Sequence, residues 1–312
     1  YRCKIDSGIS IYNMVPSIAT INLSVDRKVP CFPAQNSRLM GQIPAMSSTD
    51  TVGVVIPTFN SESTIERALK SVNEQSVLPH EVIVVDNAST DGTVGAVKRF
   101  AQTTPQLNLS LIELETNTGP GNARNIGWNK CQTSLIAFLD SDDSWHPSKL
   151  EIQLQIIQRH PNHLLFGHRY AIIDSEETTT AAPMNGSGEL SYFTLRDFLI
   201  RNRVSTPTAI VRRDIPHRFP DNQWFAEDFA LWTSILAAGG QAVVTETVFT
   251  YLYKAAYGQS GLSAKLCEMH QGELRVLHSL SQSGAITKLH FAGINAWMRL
   301  KYLRRLIRGA SV

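Results

Sequence analysis

Asp86, Asp140, Asp142, Glu227 and Asp228 stand where carboxylates are hard to explain as solvated surface. Asp140-Ser141-Asp142-Asp143 follows directly on Leu135-Ile136-Ala137-Phe138-Leu139, a run too apolar to be exposed. Three carboxylates this close repel one another unless a cation or hydrogen-bond donors compensate. Oxygen ligands of this kind suit Mg²⁺ or Mn²⁺, which bind through one or two carboxylates together with substrate phosphates. The competing reading is a turn whose aspartates cap the helix announced by Ser144 and Pro147. Glu227-Asp228 lies among Trp224, Phe225, Phe229 and Trp232. Adjacent acids amid aromatics are costly to bury without a role. One can serve as a general base toward a hydroxyl, and the other is then a helix-start residue.

Two further clusters complete the set. Asp86 ends an apolar run and can accept hydrogen bonds from a base or a ribose. Asp91, beside Gly92, reads better as an Asx-turn that prepares a helix. Asn117-Thr118-Gly119-Pro120-Gly121-Asn122-Ala123-Arg124-Asn125-Ile126-Gly127 is a glycine-rich entry to a helix. Its backbone N–H groups and the Arg124 guanidinium are suited to phosphate, although the spacing is not that of a dinucleotide fingerprint.

These residues need elements to hold them at one edge. Val52 to Pro57, Glu81 to Val85, Leu109 to Leu114 and Leu135 to Leu139 are short apolar runs that suit buried strands. Ser63-Thr64-Ile65-Glu66 has the form of a capping box, and Ile65, Leu69 and Val72 follow at helical spacing. Further helices are expected around Val94 and Val97, from Gly121 to Lys130, and up to His160 with Leu150, Leu154 and Ile157 on one face. Alternating strands and helices imply an α/β fold with a mostly parallel sheet covered on both sides. Ligands then bind at the strands' carboxyl ends, where Thr58-Phe59-Asn60, Asp86-Asn87 and Asp140 to Asp143 fall. In the second half, strands are expected at Leu164 to Ile173, Pro207 to Arg213 and Ala242 to Tyr253, with a helix at Asp228 to Ala238.

Composition excludes other classes. A formal net charge of +2 gives no electrostatic ground for a nucleic-acid partner. Cys3, Cys31, Cys131 and Cys267 are scattered, which fits reduced thiols in a cytoplasmic protein better than a disulfide framework. No stretch reaches the roughly 18 apolar residues of a membrane span, and no signal segment is visible. The expected divisions are an irregular extension over 1–50, one large domain over 51–265 and a C-terminal helical segment over 266–312. The large domain would comprise a nucleotide-binding half (51–145) and an acceptor half (146–265). Leu289 to Arg308 reads as an amphipathic helix with a basic face, suited equally to peripheral contact with an anionic membrane or to packing on the domain.

Taken together, Val-Ile-Pro-Thr-Phe-Asn (55–60), Val-Val-Asp-Asn-Ala-Ser-Thr-Asp-Gly-Thr (84–93), the Gly119 to Gly127 segment, Phe-Leu-Asp-Ser-Asp-Asp (138–143) and Glu227-Asp228 resemble the family 2 glycosyltransferases of the GT-A fold. The resemblance covers about Val52 to Ser263. It implies inverting, metal-dependent transfer from a nucleotide-diphosphate sugar, commonly a UDP-sugar, to a saccharide or lipid-linked acceptor in envelope polysaccharide or glycolipid synthesis. It places Thr58, Asn60 and Asp86 around the nucleoside with Glu62 nearby, and Arg124 close to the base or phosphates. Asp140 would contact the ribose and Asp142 the Mn²⁺ or Mg²⁺. Asp228 would be the base, with Glu227 as second choice. Many members carry Asp-Asp-Gly-Ser where Asp86-Asn87-Ala88-Ser89 stands here. Tyr257 to Ser263, including Ser260 and Ser263, resembles a loop that closes over the donor, and Trp224 is a candidate to stack on an acceptor sugar. A sugar nucleotidyltransferase and a silent nucleotide-sugar binder are the competing readings. The former usually carries a glycine-rich loop where Pro57 to Asn60 stands.

Overall fold

A computed structural model describes residues 50–173, 186–253 and 265–309, all within one compact unit that begins at Ser47. The expected extension over 1–50, the loop at 257–263 with Ser260 and Ser263, Cys3 and Cys31 lie outside the described residues, Asp50 excepted.

Strands β1 (Val52–Thr58), β2 (Glu81–Asp86), β3 (Leu109–Glu113) and β4 (Leu135–Phe138) alternate with helices α1 (Ile65–Asn73), α2 (Thr93–Thr103) and α3 (Pro120–Lys130). The strands are parallel, in the order β3-β2-β1-β4. Their two-residue period sorts side chains between two cores. Val52, Val54, Ile56, Val82, Val84, Leu135 and Ala137 face one core with Ile65, Leu69, Val72 and Val97. Val55, Ile83, Val85, Ile136 and Phe138 face the other with Ala123 and Trp128. Continuous apolar runs are what a strand covered on both faces requires.

The second half runs β5 (Ser144–Trp145), α4 (Lys149–Arg159), β6 (Leu165–Ile172), β7 (Leu190–Phe193), α5 (Leu195–Ile200), a 3₁₀ turn at Thr206–Thr208, β8 (Ile210–Arg212), α6 (Glu227–Ala237) and β9 (Ala242–Leu252). Here the sheet becomes mixed. β8 is antiparallel to β4 and to β6, and β9 is parallel to β6 but antiparallel to β5 and β7. The mostly parallel arrangement expected from the sequence therefore holds over β1–β4 and gives way beyond them. Pro207 belongs to the 3₁₀ turn, so the expected strand at 207–213 shortens to three residues.

The expected capping box at Ser63–Glu66 does not form. Thr64 precedes α1 without a side-chain cap, and the Ser61 carbonyl receives the Thr64 and Ile65 N–H groups instead. A box of this kind does form at α5, where Thr194 and Asp197 bond reciprocally.

Helices α7 (Leu266–Gln282) and α8 (Lys288–Gly309) close a third cluster in which Val276, Leu277, Leu280 and Met298 pack with Leu199, Ala226 and Phe229. Close approach explains one glycine of the 119–127 segment. A Cβ on Gly127 would lie 2.5 Å from Val55 Cγ1, so α3 sits on the sheet at a distance only glycine allows. Gly293 in α8 has nothing within 4 Å of such an atom. Two helix-interior glycines should therefore respond with opposite sign in urea denaturation. Gly127→Ala is expected to destabilise by about 1–3 kcal/mol through overpacking, and Gly293→Ala to stabilise by up to about 1 kcal/mol.

Candidate active site

Successive strands β1, β2 and β3 step one way across the sheet, and β4 then lies on the other side of β1. That reversal opens a crevice at the carboxyl ends of β1 and β4, the place where open α/β sheets take ligands. A cavity of about 330 Å³ occupies it. Pro57, Thr58 and Phe59 line it from β1, Asp140 and Ser141 from beyond β4, Asn117, Pro120 and Arg124 from the entry to α3, and Trp224 from the approach to α6. Phe59 and Trp224 are both substantially exposed, an apolar presentation that suits a planar ring.

Two buried oxygens at the strand ends, Thr58 Oγ1 and Asp86 Oδ1, have no hydrogen-bond partner among the described residues. Buried polar atoms are ordinarily satisfied, so orphans at the rim of a crevice mark where a ligand's donors belong. The other Asp86 oxygen accepts the Ser89 N–H at 3.0 Å.

Arg124 is the electrostatic centre. Its side chain is 6% exposed; one terminal nitrogen donates to Asp140 Oδ1 at 2.7 Å and the other to Glu227 Oε1 at 2.9 Å. Burial opposes the guanidinium charge, but the two carboxylates outweigh it and hold the group charged well above the usual arginine range. Glu227 is pushed up by burial, against which Arg124 works. Asp228 forms no ion pair among the described residues, and Arg124 acts on it only as a neighbouring charge. Burial and the neighbouring Glu227 charge raise it to about 7. An Asn202 amide donated to its Oδ2 at 3.0 Å and the Phe229 N–H on Oδ1 offset the rise only in part.

The 119–127 segment is built around this bridge. Gly119, at φ 86°, lies under Trp224, and Gly121 leaves room for Glu227 and Phe219. Asn125 exchanges hydrogen bonds with the Phe219 backbone at 2.8 and 3.1 Å, placing that ring 5.4 Å from the Arg124 guanidinium carbon.

The remaining expected ligands hold loops. Asn60, at φ 49°, accepts the Thr90 N–H at 2.9 Å, while the Asn60 N–H donates to Ser89 Oγ. Glu62 accepts the Gly92 N–H at 3.0 Å, at the start of α2. Asp91 accepts the Thr93 N–H and hydroxyl, the expected Asx-type turn, and the hydroxyl bond holds its carboxyl below the usual range. Asn87 explains the departure from Asp-Asp-Gly-Ser: its amide donates to Asn117 and its carbonyl receives the Thr118 N–H, so it braces the loop leading into α3. Ala88 takes φ 65° where the commoner glycine would be relaxed. Phe59 and Asn87 lay in the expected strand-end clusters without a role of their own, and sequence reasoning missed Asn202 and Phe219. Nothing in their local spacing separates them from ordinary loop and core residues.

The acid turn offers hard oxygen donors. The Asp142 carbonyl accepts Arg67 at 2.7 Å, and Ser141 and Ser61 hydroxyls meet at 2.8 Å, so the turn is anchored to α1 and its entry. Among the described residues no three His, Cys, Asp or Glu side chains converge as a cation cage. A cation at this turn would take one or two carboxylates and fill its remaining positions from phosphate and water, as Mg²⁺-type ions commonly do.

The crevice at the β1–β4 reversal, the parallel first half and the mixed second half define a GT-A type glycosyltransferase. The sequence model of Glycosyl transferase family 2 matches residues 53–218, and the chain belongs to that family of enzymes. It is 30% identical over 189 residues to the putative teichuronic acid biosynthesis glycosyltransferase TuaG of Bacillus subtilis, covering 60% of this chain and 73% of the relative. It is 29% identical over 187 residues to the Escherichia coli UDP-Glc:alpha-D-GlcNAc-diphosphoundecaprenol beta-1,3-glucosyltransferase WfgD, covering 59% and 69%. Among solved structures it resembles the mannosyltransferase PcManGT of Pyrobaculum calidifontis in complex with GDP-Man and Mn²⁺. That likeness has a TM-score of 0.61 at 22% identity, over 86% of this chain and 78% of that one.

Removing the bridge should be costly. Arg124→Met leaves Asp140 and Glu227 without their counter-charge, and breaking a buried pair this way costs about 3–5 kcal/mol. Asp140 is 29% exposed, which puts the expected loss near the lower end. Denaturation at pH 7 and again at pH 4 checks it, since the loss should shrink as Glu227, whose carboxyl burial pushes up, protonates.

Proposed function

We propose that the chain transfers a hexose from a UDP-sugar, with inversion, to a hydroxyl of a saccharide or lipid-linked acceptor in envelope polysaccharide synthesis. The observation that carries this reading is Asp228, a carboxylate poised near neutrality one residue from the Arg124 bridge that ties it to the crevice floor. The activities named for WfgD and TuaG support the donor and the pathway class.

In this mechanism the nucleoside lies against Thr58 and Asp86, whose buried oxygens lack partners, with Phe59 beside its ring. Asp140, held by Arg124, faces the ribose. Asp142 would hold Mn²⁺ or Mg²⁺, with Asp140 beside it; when bound, that ion supplies a Lewis acid for the diphosphate's developing charge. The acceptor hydroxyl gives its proton to Asp228 as its oxygen bonds to the sugar's anomeric carbon. The bond from that carbon to the diphosphate breaks, and the nucleoside diphosphate leaves with the electron pair. Trp224 stacks on the acceptor at the mouth. Glu227 and Arg124 are positioning residues, since their charges are spent on each other.

A base must be unprotonated, so transfer should rise with pH through about 7. Asp228→Asn should lower transfer by at least about 100-fold and flatten that profile, read by UDP release from a screened UDP-sugar. Transfer within a few-fold of the parent would sink the assignment. The same group should mark stability with a definite sign. Its folded pKa lies above the ordinary 3.8, so its contribution is present at low pH and lost as pH rises through about 7. Asp228→Asn is therefore expected to be more stable than the parent at pH 8, with the difference vanishing near pH 4. Chelation followed by Mn²⁺ addition should abolish and restore transfer, and Asp142→Ala should raise the Mn²⁺ concentration required.

A further inference from the structure

Helix α8 turns one face inward and satisfies it. Met298 is buried, Tyr302 stacks on His270 at 4.5 Å, Arg305 pairs with Glu273 at 3.4 Å, and Trp297 Nε1 donates to the Ile200 carbonyl at 3.1 Å. The opposite face is apolar too. Leu289 is 83% exposed, Leu300 44%, Leu303 54% and Ile307 68%. At 3.6 residues per turn these four fall within an arc of about 60° and span about 27 Å. Exposed Ala292, Gly293 and Ala296 fill the stripe between them. Arg299 flanks it on one side and Arg304 on the other, both exposed, and the helix contains no Asp or Glu. A solvated surface helix has no reason to place leucines on its outermost line, and a continuous exposed apolar strip marks a contact surface.

From this arrangement we infer that α8 docks peripherally on an anionic lipid bilayer, lying flat with Leu289, Leu300 and Leu303 entering the headgroup boundary and Arg299 and Arg304 meeting lipid phosphates. The charge pattern selects this occupant. A purely apolar partner would not need cations along both borders, whereas an anionic leaflet attracts each basic side chain near its surface. No described helix is long and apolar enough to cross a membrane, so the contact is interfacial. The inference is independent of which sugar or acceptor the enzyme uses.

The test is co-sedimentation of the full chain with vesicles of phosphatidylglycerol mixed into phosphatidylcholine, against phosphatidylcholine alone. Binding at least about tenfold tighter to the anionic vesicles, weakened by high salt, is expected. At roughly fivefold per basic side chain, Arg299→Glu with Arg304→Glu should lower vesicle affinity by more than about tenfold. Leu300→Ser with Leu303→Ser should lower it by a similar factor. Both variants should keep the parental circular dichroism spectrum and thermal midpoint, since these side chains are exposed. Equal affinity for both vesicle types, or no sedimentation with either, would overturn the proposal. So would a concentration-dependent oligomer that the leucine variant dissociates while its vesicle affinity stays unchanged, which would assign the stripe to a second copy of the chain.

Discussion

Arg124 is a cation in a place where water cannot help it, and the site is arranged around keeping it charged. Burial of a guanidinium is tolerable only when its donors meet fixed acceptors. Here those acceptors come from both halves of the fold: Asp140 closes the first and Glu227 opens α6 within the second. A single side chain therefore sets the distance between the crevice floor and α6. The bridge also sorts the acids by role. Asp140 and Glu227 share one positive charge, and Asp228, left beside them with the Asn202 amide, is raised by burial and by the Glu227 charge.

Holding that geometry loads the backbone. Ala88 and Ala226 both adopt left-handed φ values, at 65° and 58°, and Ala226 immediately precedes Glu227. Such conformations cost an alanine about 1–2 kcal/mol and persist where surrounding structure over-determines them. For Ala226 the support comes from α7. A Cβ on Gly272 would lie 2.4 Å from the Phe225 carbonyl, so the C-terminal helix backs directly onto the elbow that presents Glu227 and Asp228. The C-terminal helices are thus a buttress for the site as well as a cover for the third apolar cluster.

The first half is legible in the amino-acid sequence because β1, β2 and β4 are near-continuous apolar runs and α1 has a regular apolar period, while β3 and α3 were placed by alternation and by the glycine-rich entry. Parallel βαβ units leave such runs no other stable arrangement. Asp86 and Asp140 were legible for the same reason, as polar residues ending strands that must be buried. The second half resists this reading. β5 and β8 are two and three residues long, too short to carry a period, and nothing local announces that β8 runs antiparallel to β4. Asn60 stood out at a strand end and Glu62 only through the family resemblance, and their partners, Thr90 and Gly92, arrive from another loop. Asn202 meets Asp228 across 26 positions, and Phe219 meets Asn125 across 94, so neither pairing leaves a trace in local spacing. The Ser63–Glu66 motif misled because Ser61 placed its carbonyl where the cap was expected.

β9 has a temporal meaning as well as a spatial one. It pairs with β6 over eight positions, with β7 over four and with β5 over two, so three strands share the last strand made. A chain emerging from the ribosome can form β1 to β4 from neighbours in sequence, while β5, β6 and β7 wait with open edges until residue 242 and beyond appear. Contacts of such long range form slowly, and waiting edges are prone to mispairing. Because β5 begins one residue after Asp143, the far anchor of the acid turn is among the last parts to be set. The crevice floor over β1 and β4 is assembled early, but the turn that completes it takes its final shape only once β9 has been made.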